Sequence, residues 1–253
     1  LVEKNKKGEC MKITVLSKWY QEEDLAPFFF SHYSFADEII LYLDKGTNKE
    51  TMAEIAKCSK VKIVWGESEG GLNDYDCVTA LNKIAYSCKS DWLIYADTDE
   101  FIFHEEYADI REALSKADGN IIHSHMWNMY KHETDEPLDP LKPVIFQRRH
   151  GDPNIIPECI KPNVIRPEIK IHWGVGCHTY KPNDKIKPSS MRFLGAHWQS
   201  VDLDIACRRR IRNVKERLSQ TNIDNLWASH NFSVTRESIA ELMEQHKNDP
   251  QLF

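Results

Sequence analysis

The sequence predicts an α/β protein on a mostly parallel sheet, and three observations predict it. Short β-branched runs alternate with helical patterns through the first half of the chain, the pattern of a parallel sheet covered by helices. The run DWLIYA (91–96) is apolar almost throughout rather than alternating, as a central strand buried on both faces is. Beyond residue 119 the strand candidates shorten and carry many Pro and His residues, so the second half reads as mixed α+β.

In order, MKITVL (11–16) is the first strand, followed by a helix carrying Leu25, Phe28 and Phe29. EIILYL (38–43) is the second, with a helix through Met52, Ile55 and Ala56, and VKIVW (61–65) is the third. A GG turn at Gly70 and Gly71 precedes the most regular helix, whose stripe is Val78, Leu81, Ile84, Ala85 and Cys88. DWLIYA closes this set of four βα repeats, a Rossmann-like half. NIIHSHMW (120–127), VIFQRR (144–149), PNVIRP (162–167) and MRFLGAHW (191–198) are strand candidates of the second half. One closing helix runs through Leu203, Cys207, Ile211, Val214 and Leu218, and another through Ile239, Leu242 and Met243. The acidic, proline-bearing stretch 131–143 reads as a long loop, a kind that is often functional.

At 253 residues, with 41% hydrophobic positions, one domain with a substantial core is expected. Residues 1–10 read as an N-terminal extension and 11–253 as a single domain, which the change of pattern divides into 11–103, 104–200 and C-terminal helices at 201–253. No internal period is visible. Because the chain begins at Leu1 and MKITVL reads like a natural start, a trimmed piece of a longer polypeptide is expected. The net charge of -6 gives no basic field for nucleic acid. Seven cysteines without a CxxC pair suggest neither a disulfide framework nor a structural zinc site. A reducing, cytoplasmic setting follows, at most at the inner face of a membrane. No apolar run approaches the ~20 residues that span a bilayer.

The chemistry concentrates in DWLIYADTDEF (91–101), where an apolar strand ends in Asp97, Thr98, Asp99 and Glu100. Ligands of open α/β sheets bind at such carboxyl ends. Two carboxylates one residue apart on an extended chain point to the same side, so Asp97 and Asp99 could share one hard cation, Mn2+ or Mg2+ rather than zinc. A solvated acidic turn is the plain alternative.

With this motif the chain resembles nucleotide-sugar glycosyltransferases of the GT-A fold, specifically the bacterial family-2-like group. Residues 16–47, LSKWYQEEDLAPFFFSHYSFADEIILYLDKGT, resemble that group's first strand, helix and second strand. WNMYKHETDEPLDP (127–140), RRHGDPN (148–154), KPNVIRP (161–167), WGVGCH (173–178) and GAHW (195–198) are similar to its later segments. The likeness covers nearly the whole chain from Met11, and it implies that 11–103 is a nucleotide-binding half and 104–200 an acceptor half. Gln21 stands where Asn is frequent, and Asp44-Lys45-Gly46-Thr47 replaces the commoner Asp-Asn-Gly-Ser.

The resemblance implies an inverting, metal-dependent transfer from a UDP- or dTDP-type sugar donor to a hydroxyl of a glycan or lipid-linked acceptor in bacterial surface polysaccharide synthesis. It maps the metal onto Asp97 and Asp99, with a late histidine completing the site. His197 ranks first, ahead of His178, which could instead face a sugar, and of His150 and His172. For the nucleoside, Asp44 ends the second strand, Asp97 is expected at the ribose as well, and Trp19 and Tyr20 either stack on the base or line the core. Asp76 and Asn82 would face the same crevice, or else lie on an exposed helix flank. Arg149 and Lys161 are favoured for the diphosphate, ahead of Arg148. A base must take the acceptor proton, with Asp152 first and Glu158 second.

In the segment 207–218, helical spacing aligns Arg208, Arg212 and Lys215. Such stripes are usually solvated; the alternative is contact with an anionic acceptor or with membrane headgroups. Two rivals compete for the whole chain. A nucleotidyltransferase or hydrolase of nucleoside diphosphates would want a Gly-rich phosphate loop, which VLSKWYQEE (15–23) lacks. A non-catalytic carbohydrate-binding relative would be expected to have lost the acidic pair.

Overall fold

The computed structural model describes residues 10–67, 71–154 and 159–252. Strands β1 (Ile13–Trp19), β2 (Glu38–Leu43), β3 (Val61–Trp65) and β4 (Trp92–Tyr95) pair in parallel in the order β3-β2-β1-β4. Helices α1 (Ala26–His32), α2 (Lys49–Ile55) and α3 (Asp74–Ser87) connect them. Asn48 caps α2 by accepting from the Thr51 amide, and Asn73 caps α3 by accepting from Tyr75 and Asp76, satisfying amides that have no partner within the helix.

Side chains alternate across this half-sheet, so successive residues feed two cores. Ile13, Val15, Ile39, Leu41, Trp92 and Ile94 pack with Phe28 and Phe29 of α1 and Ile55 of α2. Leu16, Ile40, Leu93 and Tyr95 face the other way, against Val78, Leu81, Ile84 and Ala85 of α3. Each such aliphatic side chain contributes about 1.5–3 kcal/mol of transfer free energy. That two-sided burial is why these strands read as continuous apolar runs.

The mixed half continues the same sheet. β5 (Glu100–Phe103), β6 (Ile121–Tyr130), β7 (His150–Gly151), β8 (Ile160–Ile165) and β9 (Pro188–Ser200) extend it as β4-β8-β6-β9-β5, with β7 on β6. β8 runs antiparallel to β4 and β6, β9 parallel to β6, and β5 antiparallel to β9. Helix α4 (Ile110–Lys116) lies between β5 and β6.

Three expectations are corrected. β4 leads through a turn into a strand, β5, rather than into a fourth helix, so the strand–helix alternation stops at Tyr95. Residues 144–149 are not a strand. After Pro143 the chain makes a 3-10 turn at Val144–Phe146, and Gln147 closes the loop by donating to the Asp139 and Lys142 carbonyls at 2.8 and 2.9 Å. The segment from Leu203 is not one regular helix. It starts as α5 (Leu203–Cys207), widens into a π-helix at Arg208–Val214, and tightens to a 3-10 turn at Lys215–Arg217. Helices α6 (Gln220–Asp224) and α7 (Arg236–His246) follow. The cysteines are free thiols, and among the described residues no helix is long and apolar enough to cross a membrane.

Candidate active site

β1 lies between β2 and β4, so the winding direction reverses there. The crevice at the carboxyl ends beside such a reversal is where α/β sheets place ligands. Lys18 near the end of β1, Asp44 after β2, and Asp97 and Asp99 after β4 all sit at that edge.

The two aspartates do not project together as an extended chain would place them. Residues 97–100 form a turn closed by the Glu100 amide donating to the Asp97 carbonyl at 3.0 Å, and the carboxylates diverge. Asp97 accepts from the Tyr95 hydroxyl at 2.6 Å and meets the Lys161 ammonium at 2.9 Å. Lys161, nearly buried, also contacts Glu100 at 2.5 Å. Burial opposes ionisation of Asp97, but Lys161 holds its carboxyl well below the usual range. Burial raises Glu100 despite Lys161.

Asp99 faces the other way. One of its oxygens accepts from Arg209 and lies 3.3 Å from His197 Nε2. Burial disfavours a charged His197, but the Asp99 carboxylate pushes it up to about 10, so the ring is an imidazolium and its Nδ1 donates to Asn128 at 2.8 Å. Arg209 also donates to Glu22 at 2.9 Å. Burial pushes Glu22 up to about 7 even beside that guanidinium.

The three-residue metal set Asp97, Asp99 and His197 is therefore not assembled in this conformation. Asp99 and His197 converge on one point, Asp97 is turned to Lys161, and among the described residues no group of three His, Cys, Asp or Glu side chains could hold an ion. The donor set does not fit a divalent cation as it stands.

At the nucleoside end, Asp44 receives the Gly46 amide at 2.8 Å and the Arg217 guanidinium at 2.6 Å. Arg217 lies 3.4 Å from the centroid of the Tyr20 ring, a cation–π contact. Trp19 is a core residue, not a base platform: it is buried against Phe29 and Phe30, with its indole donating to Ser17 at 2.9 Å. Asn82 is also structural. It donates to the Trp173 carbonyl at 3.0 Å and accepts from the Trp173 amide at 2.8 Å, pinning α3 to the loop after β8. Asp76 is exposed on the first turn of α3. The carboxylate of that helix that turns inward is Asp74, 3.3 Å from Lys18 and bonded to Asn222 at 2.9 Å.

The remaining candidates separate. Lys161 lies in the site, but on carboxylates. Arg148 is buried and donates to the carbonyls of Glu136, Gln147 and Val201, so it is structural. Arg149 precedes β7, its carbonyl accepting the Leu252 amide at 2.8 Å. His150 stacks on His132 at 4.1 Å, and His172 is exposed beside the Tyr86 hydroxyl at 3.3 Å. His178 caps the 3-10 turn Val175–Cys177. Asp152 is next to the site: its amide donates to the carbonyl of Asn128, the residue that orients His197, at 3.2 Å. Its carboxylate accepts from both nitrogens of Asn154 at 2.9 Å. Glu158 lies outside the described residues.

The basic stripe is paired with protein groups while Arg208 and Arg212 stay partly exposed. Arg208 meets Asp24 through two bonds of 2.6 and 2.8 Å, Arg212 meets Glu23 at 3.1 Å, and Lys215 donates to the Val234 carbonyl at 2.7 Å. Arg209 and Arg217, which reach deepest, escaped the sequence reading. Regular helical spacing selects 208, 212 and 215, whereas the π-helix and the 3-10 turn present a different set. Their signal was only the arginine density of 208–217. Glu22, Lys18 and Asn128 gave none.

No protein-family model matches the chain, and no curated protein matches it. Similar solved structures include S. aureus TarS 1-349 in complex with UDP-GlcNAc, at TM-score 0.41 and 12% identity, covering 94% of this chain and 72% of that one. A second is glucosyl-3-phosphoglycerate synthase from Mycobacterium tuberculosis in complex with Mn2+, UDP and phosphoglyceric acid, at TM-score 0.32 and 16% identity, covering 47% of this chain and 43% of that one. A third, a mycobacterial protein, has TM-score 0.41 and 14% identity over 82% of this chain and 74% of its own. Likeness at these scores and identities assigns neither an activity nor site residues to the chain.

Proposed function

We propose that the chain is a glycosyltransferase of GT-A type that moves a sugar from a UDP- or dTDP-linked donor to a hydroxyl of a glycan or lipid-linked acceptor. The observation that carries this is the crevice at the β1/β4 reversal, where acidic groups that can receive a nucleoside lie beside arginines that can receive a diphosphate. Asp44 offers an acceptor to a base or ribose edge, Tyr20 an aromatic face, and Arg209 and Arg217 planar forks suited to phosphate oxygens. This basic provision supports a diphosphate ligand within an acidic chain.

In this reading Asp152 is the base. Its amide bonds the carbonyl of Asn128, the residue that orients His197, on the mixed half of the sheet, the side assigned to the acceptor. Proton removal by a positioned carboxylate suits inversion, in which the acceptor attacks the face opposite the leaving diphosphate. Mn2+ or Mg2+ enters no step here, because the residues do not present a cation seat in this conformation. Surface polysaccharide synthesis is the corresponding setting. Membrane contact through the 207–218 segment would cost its arginines their present partners.

Calorimetric titration with UDP and dTDP, followed by a nucleotide-release assay with UDP-sugars, tests the proposal. Binding of one nucleoside diphosphate is expected, and Asp152→Asn should retain it while losing transfer at least about a hundredfold, the scale of general-base catalysis. Absence of any nucleoside diphosphate binding rejects the proposal, and near-normal turnover of Asp152→Asn removes that residue from it.

A further inference from the structure

Charge is unevenly spread along this chain. Residues 166–192 carry six Lys and Arg against two Asp and Glu, a local balance of +4 in a chain whose net charge is -6. The fold gathers these cations at the amino ends of the parallel strands, the edge opposite the crevice. Lys170 follows β8, whose end pairs with the start of β4, and its ammonium donates to the Tyr86 carbonyl near the end of α3. Asn183 donates to the Ile169 carbonyl at 3.3 Å, which sets Lys185 beside Lys170. Lys187 is tied through its backbone to Asn120, just before β6, at 2.7 and 2.8 Å. The Lys181 amide donates to the His172 carbonyl at 2.9 Å, and Arg192 pairs in register with His123. All five side chains belong to exposed residues, and none forms an ion pair with a described residue. The nearest acids leave them so: Asp118 accepts from the Ser190 hydroxyl and amide at 2.8 and 2.9 Å, and Glu168 and Asp184 pair with no cation among the described residues. By contrast Arg208, Arg209, Arg212 and Arg217 are each on a carboxylate.

We propose that the face carrying Lys170, Lys181, Lys185, Lys187 and Arg192 docks on an anionic lipid surface. Its unpaired cations complement such a surface, and four of the five are lysines. A lysine is a compact, hydrated point charge, suited to a diffuse layer of headgroups rather than to forking onto one ligand. A membrane presents its charge as a plane, so it meets this face while the acidic remainder of the chain turns away. A long soluble polyanion would meet that remainder as well. The docking does not depend on the nucleotide-sugar reading, but one consequence rests on it. β6 runs seven residues from Ile121, which pairs with Pro188 beside the patch, to Asn128 in the site, or about 23 Å at about 3.3 Å per residue. A docked molecule therefore carries its crevice about 20 Å from the lipid, which favours a hydroxyl on an extended glycan over one beside a lipid headgroup.

Flotation of the full chain with phosphatidylcholine vesicles, with and without about one third phosphatidylglycerol, tests the docking. The protein should float with the anionic vesicles only, and the bound fraction should fall as salt rises from about 0.05 to about 0.5 M. Each Lys or Arg near such a surface contributes about a factor of five, so Lys185→Gln with Lys187→Gln should weaken partitioning about twentyfold or more. Lys57→Gln with Lys62→Gln, the same change of net charge at the opposite sheet edge, should match wild type. Acetylation footprinting of the wild-type protein covers the case in which a variant fails to fold: anionic vesicles should protect Lys181, Lys185 and Lys187 and leave Lys57 and Lys62 reactive. No flotation with anionic vesicles, flotation with phosphatidylcholine alone, equal loss in both variants, unprotected lysines, or binding to inorganic polyphosphate in place of vesicles overturns the docking. Calorimetry with UDP and dTDP keeps the two levels apart. Nucleotide binding without flotation rejects the docking alone, while flotation without nucleotide binding upholds the docking and rejects the glycosyltransferase reading.

Discussion

Replacing Lys161 with Met should unbalance the site in a way that can be measured. The ammonium stands 2.9 Å from Asp97 and 2.5 Å from Glu100, with a side-chain exposure of 5%. Methionine keeps the aliphatic volume but leaves the buried Glu100 and the partly exposed Asp97 without their shared cation. Breaking a buried pair by removing one partner costs about 3–5 kcal/mol. The loss should depend on pH in a definite direction. Glu100 is the more buried of the two and is already raised by burial. Without Lys161 it rises further, so its folded value lies above its unfolded one. The folded variant then holds a proton that the unfolded chain releases, and its stability falls as pH rises through the folded value, by up to about 1.4 kcal/mol per unit. Urea unfolding followed by tryptophan fluorescence at pH 8, 6.5 and 5 should therefore give the largest deficit at pH 8 and the smallest at pH 5. Adding Glu100→Gln should recover more than half of the pH 8 deficit. A deficit below about 1 kcal/mol at pH 8, or one constant from pH 5 to 8, would refute the pairing of Lys161 with both acids.

Asn82→Ala removes both bonds to the Trp173 backbone and leaves a buried amide and carbonyl unpaired, so it should cost about 2 kcal/mol or more in urea unfolding while nucleotide affinity by calorimetry stays unchanged. A methyl group at Gly119 would meet the Ser189 nitrogen at 2.4 Å and the Lys187 oxygen at 2.5 Å; because both are backbone atoms, Gly119→Ala should lose at least about 1–3 kcal/mol, seen as a Tm lowered by several degrees. His32 is lowered to about 4 by burial, only partly offset by its bond to the Ile102 carbonyl. It contributes stability that is full above its ordinary value near 6.5 and lost as pH falls through about 4, up to about 3 kcal/mol and less as its partial exposure screens it. His32→Gln should flatten the acid limb of the unfolding free energy between pH 6.5 and 4.

The parallel half was legible because β1, β2 and β4 are buried on both faces and the edge strand β3, although partly exposed, keeps the β-branched run VKIVW. EIILYL and VKIVW coincide with β2 and β3 to the residue, and the end of the DWLIYA strand correctly brought Asp97 and Asp99 to the carboxyl edge of the sheet. Where those side chains point was not legible. It depends on a single turn bond from Glu100 to Asp97 and on Lys161, which comes from a strand of the other half. Asn82 misled for a related reason: an amide on a helix flank reads the same whether it meets a ligand or a backbone 91 residues away. The expected strand at 144–149 failed because the Gln147 side chain, rather than a neighbouring strand, satisfies the loop's carbonyls.

Charge is where sequence and structure diverge most usefully. An acidic chain with a DxD motif suggests a site whose excess negative charge awaits a cation. In the folded protein Asp97, Asp99, Glu22 and Asp44 already face Lys161, His197, Arg209 and Arg217. Two of those cations come from a segment 110 to 187 residues away in sequence, so no local window contains the balance. Under the proposed function, a diphosphate would gain Arg209 or Arg217 by taking it from a carboxylate. Donor affinity would then be a difference between two charge-assisted pairings rather than the sum of new contacts. Removing Glu22 or Asp44 would therefore act in two opposed directions, freeing an arginine for phosphate while deleting an anchor of the crevice.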